Sequence, residues 1–350
     1  GGELLMAAPI ILCDTAGMDN ERWLECRMHG PKGDIPYTVG GSDVAAIFGV
    51  SPWVTPLELW MIKKGKMKPA AKPNANQLEM GHMLEPIAAH FYAKKTGNTV
   101  IDDTYMYQHA DFPFALADFD RRFIRAADNE PGILECKSCT YHKASGWANG
   151  AFPLYYEFQL RFYLSVADVN IGAFSAIWGN NPDNDLATPE IVRDKAKEDM
   201  IFERLEEWIW SLENDKPPTM AGVAPKLALE SLARIYGSGN AALPSIELPS
   251  KYEKQVRSIL NLQEKIAECN DEIKKYNKEI EAHSVRIAEL MKAHEHGVLE
   301  TTSDKFLIDF VTKTSNRTDT SLLKKKYPSV YQDVIKKTES RKLKVSLQPV

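Results

Sequence analysis

The sequence predicts an α/β (α+β) protein: a central mixed β-sheet flanked by helices, followed by a long heptad helix or helical hairpin and a basic tail. Three observations predict it. Capped, amphipathic stretches of helix length alternate with short apolar runs of strand length up to about residue 215. A turn-forming tract, Asp128-Asn129-Glu130-Pro131-Gly132, joins two of those short runs. Beyond residue 250 the period changes to seven, with isoleucine at 259, 266, 273, 280 and 287.

The elements follow in order. Residues 20–27 carry a helical pattern with Trp23 and Leu24 as apolar members. Ser42 reads as the N-cap of a helix over 43–48 that stops at Gly49. Pro56 opens a helix over 57–64 ended by Gly65, and a longer helix over 76–96 is closed by Gly97. Strands are expected over 114–120 and 133–138, then a helix over 154–167, a strand over 171–178 and a long helix over 190–212 before Pro217-Pro218. The expected boundaries are 1–218 for this mixed unit, 219–250 for a linker with the Gly237-Ser238-Gly239-Asn240 tract, 251–296 for the heptad segment and 297–350 for the tail. Opposite the isoleucines stand Leu262, Cys269, Tyr276, His283 and Leu290, a mixed set. It favours an antiparallel helical hairpin, or a helix packed on another surface, over a parallel dimer zipper. From Lys313 to Lys344 there are ten Lys/Arg against three Asp/Glu, which suits either a solvated surface or contact with phosphates.

Composition narrows the function classes. The chain is 44% hydrophobic and 26% charged, enough to bury a substantial core. A net charge of −5 excludes a global basic field, so any nucleic-acid contact comes from local patches. Five scattered cysteines argue against a disulfide framework and for a reducing compartment. Cys136-x-x-Cys139 has no second pair to complete a metal site, so both are read as buried strand residues. Arg161 and Asp168 interrupt the apolar stretch 159–178, and the run 4–12 lacks the basic opening of a signal peptide. A cytoplasmic protein with no membrane partner is expected.

The chemistry concentrates in two segments, Ala117-Asp118-Phe119-Asp120-Arg121-Arg122 and Gly132-Ile133-Leu134-Glu135-Cys136-Lys137. In a strand, residues two apart share a face, so Glu135 and Lys137 point one way and Cys136 the other. Asp120, ending the preceding strand of a hairpin, lies beside Glu135. Two carboxylates and an ammonium then converge at a sheet edge, an arrangement suited to metal-assisted phosphodiester hydrolysis. Carboxylate oxygens suit Mg²⁺, and the backbone carbonyl of Cys136 adds another oxygen. A lysine can orient the attacking water or stabilise charge on phosphorus. An E-x-K triplet alone is common and equally describes an exposed ion pair. Glu85, in Gly81-His82-Met83-Leu84-Glu85-Pro86, and Gln159, on the helix after the E-x-K strand, complete the order helical Glu, strand Asp, strand E-x-K, helical Gln.

That order resembles the PD-(D/E)xK nuclease superfamily and, more narrowly, the YqaJ-like viral recombinases, relatives of lambda exonuclease. The resemblance runs over about residues 20–180. It is carried also by Trp23–Arg27, the Gly40–Trp53 segment GGSDVAAIFGVSPW and Pro56–Trp60. It implies a restriction-endonuclease-like core. It further implies Asp120, Glu135 and Glu85 as metal-binding acids, Lys137 as the catalytic lysine and Gln159 as a brace. Asp118 competes as the strand acid, but the family pattern places Arg or Gly after the acid, as Arg121 follows Asp120. Arg27 and Ser42 match residues that hold a terminal 5′-phosphate, although their spacing here is longer and Ser42 could serve only as a cap.

The resemblance implies a Mg²⁺-dependent 5′→3′ exonuclease on double-stranded DNA ends, with Mn²⁺ able to substitute. The 3′ overhangs it leaves would pass to a RecT- or Redβ-like single-strand annealing protein, in a phage or prophage setting within a bacterial host. A homo-oligomer, in relatives a ring, is also implied. An endonuclease or nickase of the same superfamily, or a nuclease fold kept only for binding, are the alternatives. Trp53 and Trp60 are read as core, Tyr141 and Lys143 as candidates to touch the DNA backbone, and His82, His90, His109 and His142 carry no assigned role.

Overall fold

The computed structural model describes residues 9–69, 75–237, 242–335 and Leu343. The chain divides into two compact units, Gly1–Tyr236 and Gly237–Val350.

In the first unit, β1 (Ile10–Asp14) leads into α1 (Asn20–His29), which Asp19 caps by accepting the Arg22 N–H at 2.8 Å. The next helix, α2 (Gly41–Ile47), starts two residues earlier than the sequence suggests: Gly40 is its N-cap, and the Asp43 carboxylate reaches back to the Gly40 N–H at 3.0 Å. Ser42 is therefore inside the helix and its hydroxyl is free for other work. Thr55 caps α3 (Pro56–Lys63), whose first residue is the proline expected there. The long α4 (Ala75–Thr96) holds Pro86 in its interior, immediately after Glu85. Pro86 has no N–H to close the helical bond onto residue 82, which loosens the turn that carries Glu85.

The strands form two sheets. β1, β3 (Tyr105–Gln108) and β4 (Leu116–Asp118) make a small antiparallel sheet. The main sheet runs β2 (Thr99–Asp102), β5 (Arg121–Ile124), β6 (Pro131–Ser138), β7 (Ile171–Ile177), β8 (Leu186–Ala187), with β9 (Glu190–Val192) also on β7. β6 is antiparallel to β5 and parallel to β7, so the sheet is mixed, as expected. The crossover between β6 and β7 is α5 (Leu154–Ala167), ended by Asp168 in the left-handed region. One face of the sheet packs Leu134 and Cys136 against Ala88, Ala89 and Tyr92 of α4. The other packs Ile133 and Phe174 against Leu160 and Leu164 of α5, with Trp147 and, further out, Leu205 and Trp208 of α6 (Lys195–Glu213).

Three expectations are corrected. The strand expected over 114–120 is shorter, Leu116–Asp118: β4 ends at Asp118 in the small sheet, and a separate strand, β5, begins at Arg121 in the large one. Asp120 therefore sits at the crossing point, and β6 is an interior strand, so the acids meet at the end of the sheet and not at its edge. The helix expected over 190–212 gives up its first residues to β9, where Ile191 pairs with Gly172. The compact unit also runs past the expected boundary at 218. The supposed linker contains α7 (Pro225–Tyr236), whose Ser231 meets Thr55 at 2.7 Å and whose Arg234 forks the buried Glu58 at 2.9 and 2.6 Å. These buried polar ties to α3 hold α7 in the first unit.

The second unit begins with α8 (Glu253–Met291), one unbroken 39-residue helix and not a helical hairpin. An antiparallel β10–β11 hairpin (His296–Glu300, Lys305–Asp309) follows, then α9 (Thr320–Lys326) and α10 (Pro328–Val334). Most of the basic run beyond residue 335, and most of the Gly-Ser-Gly-Asn tract, lie outside the described residues. Among the described residues no helix is long and apolar enough to cross a membrane.

Candidate active site at the end of the central sheet

Strand alternation on β6 places Glu135 and Lys137 toward α5 and Cys136 toward α4, as the sequence requires. Lys137 Nζ donates to Glu135 Oε1, and Gln159 Nε2 donates to the same oxygen at 2.6 Å. Gln159 also reaches the Tyr163 hydroxyl at 3.2 Å. The second oxygen, Glu135 Oε2, is buried with no hydrogen-bond partner. Asp120 Oδ2 accepts the Cys136 N–H at 2.7 Å, which ties the crossing point between the sheets to β6. Glu85, on α4, shares a hydrogen bond with His82 at 2.9 Å and is near enough to both acids to raise their pKa values.

The electrostatics are those of an anionic cluster short of positive charge. Burial first, and then the neighbouring Glu135, push the Asp120 carboxyl well above the usual range, against Lys137 and the Cys136 N–H. Burial also raises Glu135, against the pull of Lys137. Burial works against the Lys137 ammonium, but Glu135 and Asp120 outweigh it and hold the proton on. The Lys137 ammonium also lies over the Tyr156 ring, 4.8 Å from its centroid.

Among the described residues, no three His, Cys, Asp or Glu side chains are drawn close enough to form a ready-made metal cage. The donor set nevertheless fits a hard divalent cation. Glu135 presents a buried, unpartnered oxygen, and Asp120 and Glu85 add carboxylates beside it. The Cys136 and Cys139 thiols do not converge. Cys136 packs toward α4, where burial drives its thiol up, and Cys139 packs into the opposite core.

Asp118 makes different contacts from Asp120, although it is near enough to Glu135 to raise that carboxyl's pKa. It accepts the Trp23 indole N–H at 3.0 Å and helps hold the Arg27 charge. Arg27 donates to the Ser42 hydroxyl and stacks 5.1 Å from the Trp23 ring centroid. This close fit needs the glycine pair at the start of α2. A Cβ on Gly40 would stand 2.9 Å from the guanidinium, and one on Gly41 would stand 2.4 Å from the Tyr163 ring. Behind them Lys63 pairs with Asp43 at 3.0 Å and donates to the Thr38 carbonyl at 2.9 Å. The structure thus brings Arg27 and Ser42 together, one ring away from the Glu135 brace.

Tyr156 and Tyr163 were not singled out from the sequence, yet their signal is present: with Gln159 they fall at i, i+3 and i+7 on one face of α5. Trp60 is core at 1% exposure, but Trp53 is not, at 54%. It stands edge-on to Tyr155, with centroids 5.0 Å apart, in a loop fixed by N–H bonds from Trp53 and Val54 to the Ser51 hydroxyl. Tyr141 is 71% exposed on the 3₁₀ segment Tyr141–Gly150 that follows β6.

Residues 22–170, which hold every one of these side chains, match the YqaJ-like viral recombinase domain family. This stretch is similar to that domain family. The similarity extends beyond it: the uncharacterized protein YqaJ of Bacillus subtilis (strain 168) is 29% identical over 339 residues, 95% of this chain and 96% of that protein. Among solved structures, the alkaline exonuclease LHK-Exo from Laribacter hongkongensis is 18% identical and matches with a TM-score of 0.45, over 56% of this chain and 94% of its own. Its complex with dAMP gives 17% identity and a TM-score of 0.46 over the same shares. A phage related exonuclease from Haemophilus somnus 129PT is 15% identical over 51% of this chain and 94% of its own, with a TM-score of 0.38.

Proposed function

We propose that the YqaJ-like domain is a metal-dependent DNA exonuclease that degrades one strand of a duplex from its 5′ end and leaves 3′ single-stranded overhangs. The observation that carries this reading is Glu135. One of its oxygens is gripped by Lys137 and Gln159, while the other is buried without a partner beside Asp120. A carboxylate held this way is aimed at a ligand.

Glu85, Asp120, Glu135 and the Cys136 carbonyl would hold Mg²⁺, or Mn²⁺ in its place. Once bound, the ion would acidify a coordinated water and offset charge on the scissile phosphate. Gln159 fixes the rotamer of Glu135 and is itself fixed by Tyr163. Lys137, charged at neutral pH and anchored over Tyr156, is placed to orient the water and to donate to a phosphate oxygen as negative charge builds there. Arg27 and Ser42 offer a guanidinium and a hydroxyl to a terminal 5′-phosphate, which gives the domain a preference for ends. Trp53, exposed and edge-on to Tyr155, offers a stacking surface to a base near that end. The 3′ strand produced would suit a single-strand annealing protein, in agreement with a viral recombinase.

The test is digestion of end-labelled linear duplex with and without a 5′-phosphate, in Mg²⁺ and in EDTA, by wild type and Lys137→Ala. Mg²⁺-dependent loss of the 5′-phosphorylated strand, nearly abolished in the folded Lys137→Ala protein, supports the reading. Cutting of closed circular DNA would replace it with an endonuclease. Intact DNA under every condition would leave a binding module.

A further inference from the structure

The heptad seam of α8 belongs to the second unit, and its flanks specify what covers it. We propose that α8 forms a parallel, in-register, two-stranded coiled coil with the α8 of a second copy of this chain.

The helix spans 39 residues with no proline or glycine, about 58 Å of continuous axis. One stripe along it is apolar and exposed: Ile266 60%, Ile273 54%, Ile280 61%, Leu262 55% and Tyr276 56%, continuing through Ile287 and Leu290. A helix of this length with a single bare stripe is stable in water only when the stripe is covered. A stripe running along the helix is the kind of surface from which a standard-size interface takes about 800 Å² per partner.

The charges beside the stripe and the overlap of its apolar layers together decide orientation. Taking the isoleucines as a positions and Leu262, Cys269, Tyr276, His283 and Leu290 as d positions, the g positions are Lys265, Glu272, Glu279 and Arg286. The e positions are Gln263, Asn270, Asn277 and Ser284, all uncharged. An antiparallel pair sets g beside g. With the seam fully overlapped, so that Ile273 meets Tyr276 of the other copy, Lys265 would face Arg286 and Glu272 would face Glu279. Each clash of like charges would occur twice by symmetry. Slipping one heptad pairs Lys265 with Glu279, or in the other direction Glu272 with Arg286, but still sets one glutamate against its own copy. It also places Ile287 opposite Gln255 or drives Ile259 and Leu262 past the end of the partner helix. A parallel pair sets g beside e of the next heptad. Lys265 then meets Asn270, Glu272 meets Asn277 and Glu279 meets Ser284, with no repulsion. A β-branched residue at every a, with unbranched-at-Cβ residues at d, is the two-stranded pattern. The mixed d set, which from sequence alone argued against a zipper, is tolerated because the a layers are all isoleucine.

Parallel pairing brings each d residue against its own copy, so the exposed thiol of Cys269 would meet a second Cys269 within disulfide reach. In the fully overlapped antiparallel pair the two thiols would lie about 16 Å apart along the axis. The experiment uses the full chain. It is treated with a mild thiol oxidant, run on a non-reducing gel, and compared with Cys269→Ser and with Ile266→Asp/Ile280→Asp. Wild type should cross-link into a two-chain species, the serine variant should not, and the seam variant should cross-link at least tenfold more slowly. Sedimentation of reduced wild type should show an association that the seam variant weakens. Absence of a Cys269 cross-link in wild type overturns the proposal whether or not the seam variant folds. So does cross-linking at an unchanged rate in a folded seam variant.

Discussion

Replacing Asp120 with asparagine should stabilise the metal-free protein while removing its activity. Asp120 is partly buried, accepts one N–H from Cys136, and is pushed well above its ordinary pKa, by burial first and Glu135 second. Asparagine keeps an oxygen for the Cys136 N–H and removes the charge. Like unit charges about 5 Å apart at an effective dielectric of about 20 repel by about 3 kcal/mol. Lys137 offsets part of this, leaving about 1–2 kcal/mol to be recovered. For a unit of this size that corresponds to a Tm increase of about 2–8 °C. The sign follows from linkage. An acid whose folded pKa is raised holds its proton after the unfolded chain has released it, so it costs nothing below the unfolded value near 3.8 and progressively more as pH rises above it. The gain should therefore be largest near pH 7.5 and should shrink toward pH 4. Saturating Mg²⁺ should reverse the ranking. At a hundredfold excess over Kd a cation adds about 2.7 kcal/mol to a protein that binds it, and the asparagine variant has lost a ligand. Calorimetric melts in EDTA and in Mg²⁺, at pH 4.5 and 7.5, measure all of this. A variant that melts below wild type in EDTA at pH 7.5 would refute the reasoning, as would Mg²⁺ stabilising both proteins equally.

Arg27→Gln should erase the preference for 5′-phosphorylated ends, a loss of about tenfold or more in kcat/KM on phosphorylated duplex with little change on the hydroxyl-ended one. Trp53→Ala should weaken binding of duplex ends by about 5–50-fold in a fluorescence anisotropy titration, with Trp53→Phe recovering most of it. His109 is buried, accepts the Asp111 N–H at Nδ1, faces the Ser165 hydroxyl at Nε2, and its pKa is lowered by burial. Stability should therefore be full above the unfolded value near 6.5 and fall as pH drops below it, and His109→Gln should flatten that slope in urea melts between pH 7.5 and 5.

Residue alternation made the face of Glu135 and Lys137 legible, since a two-residue period has one geometric meaning in a strand. The helix carrying Gln159 was equally legible from its periodicity. The segment 117–122 was not. Its alternation is continuous through Asp118 and Asp120, but Asp118 pairs with Met106 in one sheet and Arg121 with Leu134 in another. The choice between those partners is tertiary and leaves no local mark. Ser42 misled because a serine before a helical run usually caps it, whereas the two glycines before it permit an earlier start. Trp53 misled because its apolar bulk suggested burial, while the proline-flanked loop that carries it holds it outward. The α7 segment was hidden by the turn-rich residues around it, and its hold on the first unit comes from polar contacts that no hydrophobic pattern shows.

Tyr163 stands between the Glu135 brace and the Arg27–Ser42 pair. Its hydroxyl receives the Gln159 amide, and its ring lies against Gly41 next to the guanidinium that would take the chain end. Under the proposed function, grip and cut would be spaced by one aromatic side chain, in a tightly packed core. On that reading, a bulkier or smaller residue at 163 would shift the phosphate grip relative to the Glu135 carboxylate and lower the rate without unfolding the domain.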